Sequence, residues 1–273
     1  MRNLKVGDIV STNYDVADTT GSKTFSSGTL FKVSEIRMIN TFDTVGEVVC
    51  LRPLFSERGT EVDPVDIRDI TTCNELIEVN TERAQRILKE KNYERKGKIC
   101  TGFIIAVLII FALAILSSVL SEFFPAVEQF MSSPVSGPVF VVFGVVFCVS
   151  FFGFLPLIAS HGMVNENAIK CVLAMRALRV NNPKVGFTPL NLSSSGVNMS
   201  SDEIEQQAIE ALLRAKNIQK NIAKGKREID LSQFRLGEKG NEYAVYKAVA
   251  KNTLDNLKVL QDFLQSQTTG AAL

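Results

Sequence analysis

Two long apolar runs dominate the hydropathy pattern, Ile99 to Leu120 and Val139 to Ser160, and neither contains a charged residue. Before them the chain alternates in short β-like segments, and after them apolar residues recur at helical spacing. As helices of roughly 22 residues, each run would rise about 33 Å, against a hydrocarbon core of about 30 Å. Their Ile, Leu, Val and Phe residues outweigh the few Gly, Ser and Thr by a few kcal/mol on an insertion scale. The pattern predicts a transmembrane hairpin with spans 99–120 and 139–160, joined by an outside loop over 121–138.

The first 80 residues read as short strands. Lys5 to Ser11 opens, the polar stretch Asn13 to Gly28 reads as a long loop, and strand signals resume over Thr29 to Ile39. There the apolar phase changes near Ser34-Glu35, as a β-bulge would cause. Glu47 to Leu54, Val62 to Ile70 and Glu75 to Val79 complete the set, and Pro53 and Pro64 place their strands at an edge or an end. Such spacing predicts a small, strongly bent barrel. The segments KVGDIV, LFKVSEI after a glycine, and EVVCLRPL resemble the SH3-like barrels of KOW type. That resemblance implies a β-barrel used as a binding module over residues 1–80. Nucleic-acid-binding versions present basic and aromatic residues, whereas this region carries Glu57, Glu61, Asp63, Asp66 and Asp69. Nucleic acid is therefore not expected as a partner.

Helical signals fill the rest. Residues 81–98 form a juxtamembrane helix, capped by Asn80 or Thr81, with Ala84, Ile87, Leu88 and Lys91 on one face. A second juxtamembrane helix spans 161–180, striped by Ala168, Cys171, Val172, Met175 and Leu178. Residues 181–199 are rich in Pro, Gly, Ser and Asn and read as a linker. Ser200 and Glu203 then stand at capping-box spacing ahead of a helix carrying Ile204, Ala208, Ala211 and Ala215. A last helix near Glu242 to Gln265 carries Tyr246, Ala250, Leu257 and Leu260, so 200–273 reads as a helical hairpin or coiled-coil region. The fold class expected is an α+β membrane protein: SH3-like barrel, two-helix transmembrane hairpin and C-terminal helices.

Charge adds an orientation. Lys and Arg flank both runs on the sides away from the 121–138 loop, which has none, so both termini are expected in the cytoplasm of a multi-pass plasma (bacterial inner) membrane protein. The chain as a whole carries 30 Lys+Arg against 29 Asp+Glu and has no global field to attract polyanions. Basic residues at Arg95, Lys96 and Lys98, and at Lys216, Lys220 and Lys224, could contact anionic lipid. Ala114 with Ser118, and Gly144 with Cys148, give small-residue spacing for helix packing.

Candidate chemistry is sparse. The five cysteines show no CxxC spacing, and the single histidine, His161, has no second histidine or cysteine at ligand spacing. Glu61, Asp63, Asp66 and Asp69 lack the glycine and closing glutamate of a calcium loop. No phosphate loop, dinucleotide fingerprint or nucleophile elbow is present, so no catalytic residue, metal or cofactor is assigned. The function expected is a non-enzymatic membrane adaptor or scaffold, homo-oligomeric in the bilayer and recruiting a cytoplasmic protein partner. The alternative is an oligomeric pore-forming or membrane-perturbing effector gated by its cytoplasmic domains.

Overall fold

A computed structural model describes residues 4–40, 45–55, 60–90, 92–99, 136–222 and 229–270, with scattered residues between 101 and 116. Over 136–155 it describes the backbone alone. The chain divides into two units, one made of residues 1–89 and 165–273, the other of 90–164.

The first unit holds strands β1 (Ile9–Thr12), β2 (Val16–Ala17), β3 (Thr24–Phe25), β4 (Leu30–Asn40), β5 (Val45–Pro53), β6 (Val62–Asp66) and β7 (Ile70–Thr72). Five of them form an antiparallel sheet in the order β6-β5-β4-β1-β7. The change of phase expected near Ser34 is a register shift between Val33 and Glu35, where the Ser34 hydroxyl donates to the Cys50 carbonyl at 3.0 Å. Pro64 lies in the edge strand β6 and Pro53 ends β5, where a missing N–H removes no ladder bond. Inward positions Val10, Phe31, Val33, Val49, Leu51 and Val65 form the core of the sheet.

The stretch expected as a plain loop carries the β2–β3 ribbon, and an isolated bridge from Asp18 to Val62 ties that ribbon to β6. Burial pushes the Asp18 carboxyl up, but donors from Lys23, Ser22 and Thr20 outweigh it and hold the group below its ordinary range. A 3-10 turn, Ile67–Asp69, leads into β7.

Helix α1 (Cys73–Lys89) starts well before residue 81 and replaces the strand expected at Glu75 to Val79. Its start is a capping box: the Glu75 N–H donates to the Thr72 hydroxyl at 3.2 Å, and the Thr72 N–H donates to the Glu75 carboxylate at 3.0 Å. Asn80, expected as a cap, sits inside this helix and donates to the Leu76 carbonyl. The other long helices are α2 (Ser136–Asn181), α3 (Ser201–Ile222) and α4 (Glu242–Gly270), and residues 93–99 are also helical.

Among the described residues, no helix is long and apolar enough to cross a membrane. This corrects the expected two-span membrane protein, its inner-membrane location and its cytoplasmic termini. The first run, 99–120, falls largely outside the described residues, as does the 121–138 loop up to residue 135. The second run is not a separate element. Its expected end at Ser160 is no helix end, because α2 continues through His161, Asn165, Glu166 and Lys170 to Asn181.

From Val164 onward α2 buries Ala168, Ile169, Cys171, Val172, Met175 and Leu178. Met175 and Leu178 meet Leu30 at the start of β4, Cys73 of α1, and Leu257 and Leu260 of α4 in a second core. The expected barrel and the expected C-terminal helices therefore share one hydrophobic core, and α4 packs on α1. Residues 181–199 are not a free linker either. Asn182 is fully buried; its side-chain oxygen accepts the Leu30 N–H at 2.9 Å, and its amide donates to the carbonyls of Gly28 and Leu178. Further on, Asn256 of α4 accepts the Thr188 N–H and donates to the Thr188 carbonyl, fastening the segment along the helix.

Helix α3 begins with the expected Ser200–Glu203 box. It is held to α2 by Glu205, whose carboxylate accepts Arg179 at 2.7 and 2.9 Å and lies 3.4 Å from Arg176. In the second unit, Tyr93 stacks on His161 with ring centroids 4.1 Å apart, and Lys96 pairs with Glu90 at 2.7 Å.

Candidate functional site

The end of β1, the start of α1 and the last turns of α2 enclose a cleft of about 450 Å³. Three local features shape it. The Thr72–Glu75 box fixes where α1 leaves the sheet. Gly28 lets the β3–β4 turn lie directly on α2: its φ is +91°, and a Cβ there would stand 2.8 Å from the Ala177 side chain. Asn181 donates to the Ser27 carbonyl at 2.9 Å and closes the same corner.

Leu76, Val79, Ala174 and Ala177 give the cleft an aliphatic floor, and Ser11, Asn13, Thr71, Asn80 and Arg83 give it polar walls. Much of the wall is already ordered. Thr71 donates to the Asn13 side-chain oxygen at 2.8 Å, so the Asn13 amide N–H2 has no protein partner among the described residues. Asn80 is 4% exposed; because its amide donates to the Leu76 carbonyl at 2.8 Å, its oxygen is turned to Arg83, which donates to it at 3.1 Å. Arg83 is half-buried and has no ion pair among the described residues. Glu75 is the acidic residue of the lining, and its carboxylate accepts the Thr72 N–H.

Among the described residues, no histidine, cysteine or lysine lines the cleft, and Glu75 is its one carboxylate. No group of three His, Cys, Asp or Glu residues that could hold a metal occurs among the described residues. The acidic stretch weighed as a cation site is used within the fold: Glu61 pairs with Arg52, and hydrogen bonds from Arg68 hold the Asp66 carboxyl down at about 2. Burial pushes the Cys73 thiol up to about 12 and the Cys171 thiol up to about 11, which keeps both protonated near neutral pH. The space beside the Arg176–Arg179–Glu205 cluster is about 10 Å³, room for about one water. A depression of about 470 Å³ beside Phe25, Phe55 and Val180 is more open than the cleft.

The residues singled out in the sequence that the structure describes are not in the lining of the cleft. Arg95 and Lys98 are exposed on the 93–99 helix, Lys96 is engaged with Glu90, and Lys216 and Lys220 are exposed on α3. Lys224, Ala114 and Ser118 fall outside the described residues, and Gly144 and Cys148 lie where only the helical backbone of α2 is described. None of those that are described lines the cleft. Its own residues were individually plain in sequence; the T-x-x-E spacing at Thr72 was the one signal that could have placed α1 correctly. No family model, curated protein or solved structure matches this chain.

Proposed function

We propose that the protein is a non-enzymatic binding module that accepts an extended segment of a protein partner in the cleft between β1, α1 and α2. The observation that carries this is the cleft itself: about 450 Å³, within the usual range for a ligand site, with an aliphatic floor and convergent polar groups. The adaptor role expected from the sequence is kept without its membrane. The SH3-like barrel expected over residues 1–80 is not part of this proposal: the sheet is open, with β6 and β7 at its two edges, and the last of those residues lie in α1.

The test is a peptide selection on the intact chain, repeated on Val79→Trp. Val79 is 42% exposed, so the larger side chain can fill the cleft without entering the core. Selected peptides should bind the parent chain and lose at least tenfold in affinity on Val79→Trp. Peptides that bind both equally, or no enrichment at all, would overturn the proposal.

A further inference from the structure

We infer that the cleft recognises a carboxylate on its partner segment, and that Arg83 is the residue that reads it. The inference rests on the cleft being the binding site and names the chemistry it selects.

The first observation is an imbalance of hydrogen-bonding capacity. A guanidinium has five N–H donors, and Arg83 donates to the Asn80 oxygen alone among the described residues. The Asn13 amide adds donor capacity to the same lining, because its oxygen is occupied by Thr71. The acidic residue of the lining, Glu75, is turned to the backbone N–H of Thr72. An incoming group therefore meets donors, and an acceptor-rich anion satisfies them best. A planar guanidinium matches a carboxylate with two parallel bonds.

The second observation is preorganisation. Most guanidiniums in this unit already hold carboxylates: Arg37 with Glu35, Arg52 with Glu61, Arg68 with Asp66, and Arg179 with Glu205. Arg83 instead is held by a neutral amide whose own orientation is fixed by the Leu76 carbonyl. Asn80 is thus a positioning residue. It restrains the arginine without neutralising it, so little side-chain entropy remains to be lost when a ligand binds. The half-buried setting also strengthens the charge, since fewer waters screen it.

The carboxylate could be the C-terminus of a chain or an Asp or Glu side chain, which present the same group. The probe is the tightest peptide selected on the intact protein, made in three forms: free acid, C-terminal amide, and amide with one internal Glu. Affinities are measured on the parent chain, Arg83→Gln, Arg83→Lys and Val79→Trp. At least one acid-bearing form should bind tenfold or more tightly than its neutral counterpart, and Arg83→Gln should remove that discrimination. Arg83→Lys should keep part of it, as a point charge does. Loss of affinity in the free acid's amide assigns the C-terminus; recovery with the internal Glu assigns a side chain.

Equal affinities for acid and neutral forms, with Val79→Trp still disruptive, would overturn the carboxylate inference and leave the cleft as the site. Indifference to Val79→Trp would overturn both. Because the acid-to-amide change is made on the peptide, the outcome does not depend on how the arginine variants fold.

Discussion

Single residues hold this molecule together where the sequence promises only polarity. Asn182 satisfies the Leu30 N–H and the carbonyls of Gly28 and Leu178 from a fully buried position. Asn182→Ala strips partners from buried backbone groups, at about 1–3 kcal/mol for each one left unsatisfied. Urea titration should show a lower midpoint with little change in slope; an unchanged midpoint would mean that the bonds are dispensable. Cys73 has a pH signature. Burial raises its thiol from the ordinary value of 9.0 to about 12, so between those values the folded chain keeps a proton that the unfolded chain releases. Stability is therefore full below pH 9 and falls as pH rises toward 12, by up to about 1.4 kcal/mol per unit. Cys73→Ala should flatten that decline relative to the parent in parallel pH titrations. An identical decline in both chains would contradict the burial of the thiol.

At the scale of elements, the two capping boxes show how far a local motif can be read. Ser200-x-x-Glu203 follows a polar stretch and precedes a long amphipathic run, and it was legible in sequence. Thr72-x-x-Glu75 has the same chemistry, but Glu75 to Val79 is also a short, apolar-rich stretch of the kind found in strands, and the preceding β7 is only three residues long. Local pattern does not choose between the two; packing of Cys73, Leu76 and Ile77 against α2 and α4 does. Helix α3 owes its position to an ion cluster. Glu205, with its side chain 12% exposed, faces Arg176 and Arg179 of α2, while the buried face of α3 presents mainly alanines. Small residues bury little apolar area, so the charged clamp matters more here than on an open surface. Glu205→Ala should speed hydrogen exchange along α3 by at least tenfold while α1 and α4 keep their protection. Uniform protection in the variant would show that packing alone suffices.

Across the whole molecule, the sheet was more legible than the assembly. The bulge near Ser34, the edge position of Pro64 and the late helices all follow from short-range pattern. The shared core does not, because it joins Leu30 to Leu178 and Leu260 across most of the chain. The membrane expectation failed at an element boundary: the second apolar run does not end as a helix at Ser160 but continues in α2 through Glu166 and Lys170 to Asn181. The cleft is equally non-local, since Ser11, Arg83 and Ala177 are brought to one place only when α2 returns to the sheet. The central claim is that this convergence is a binding site. Its most direct test is hydrogen exchange of the intact chain with and without a selected peptide. Slowed exchange should fall on residues 11–13, 71–83 and 174–178 together. Protection on α3 or on the β2–β3 ribbon, with those three segments unchanged, would contradict the account.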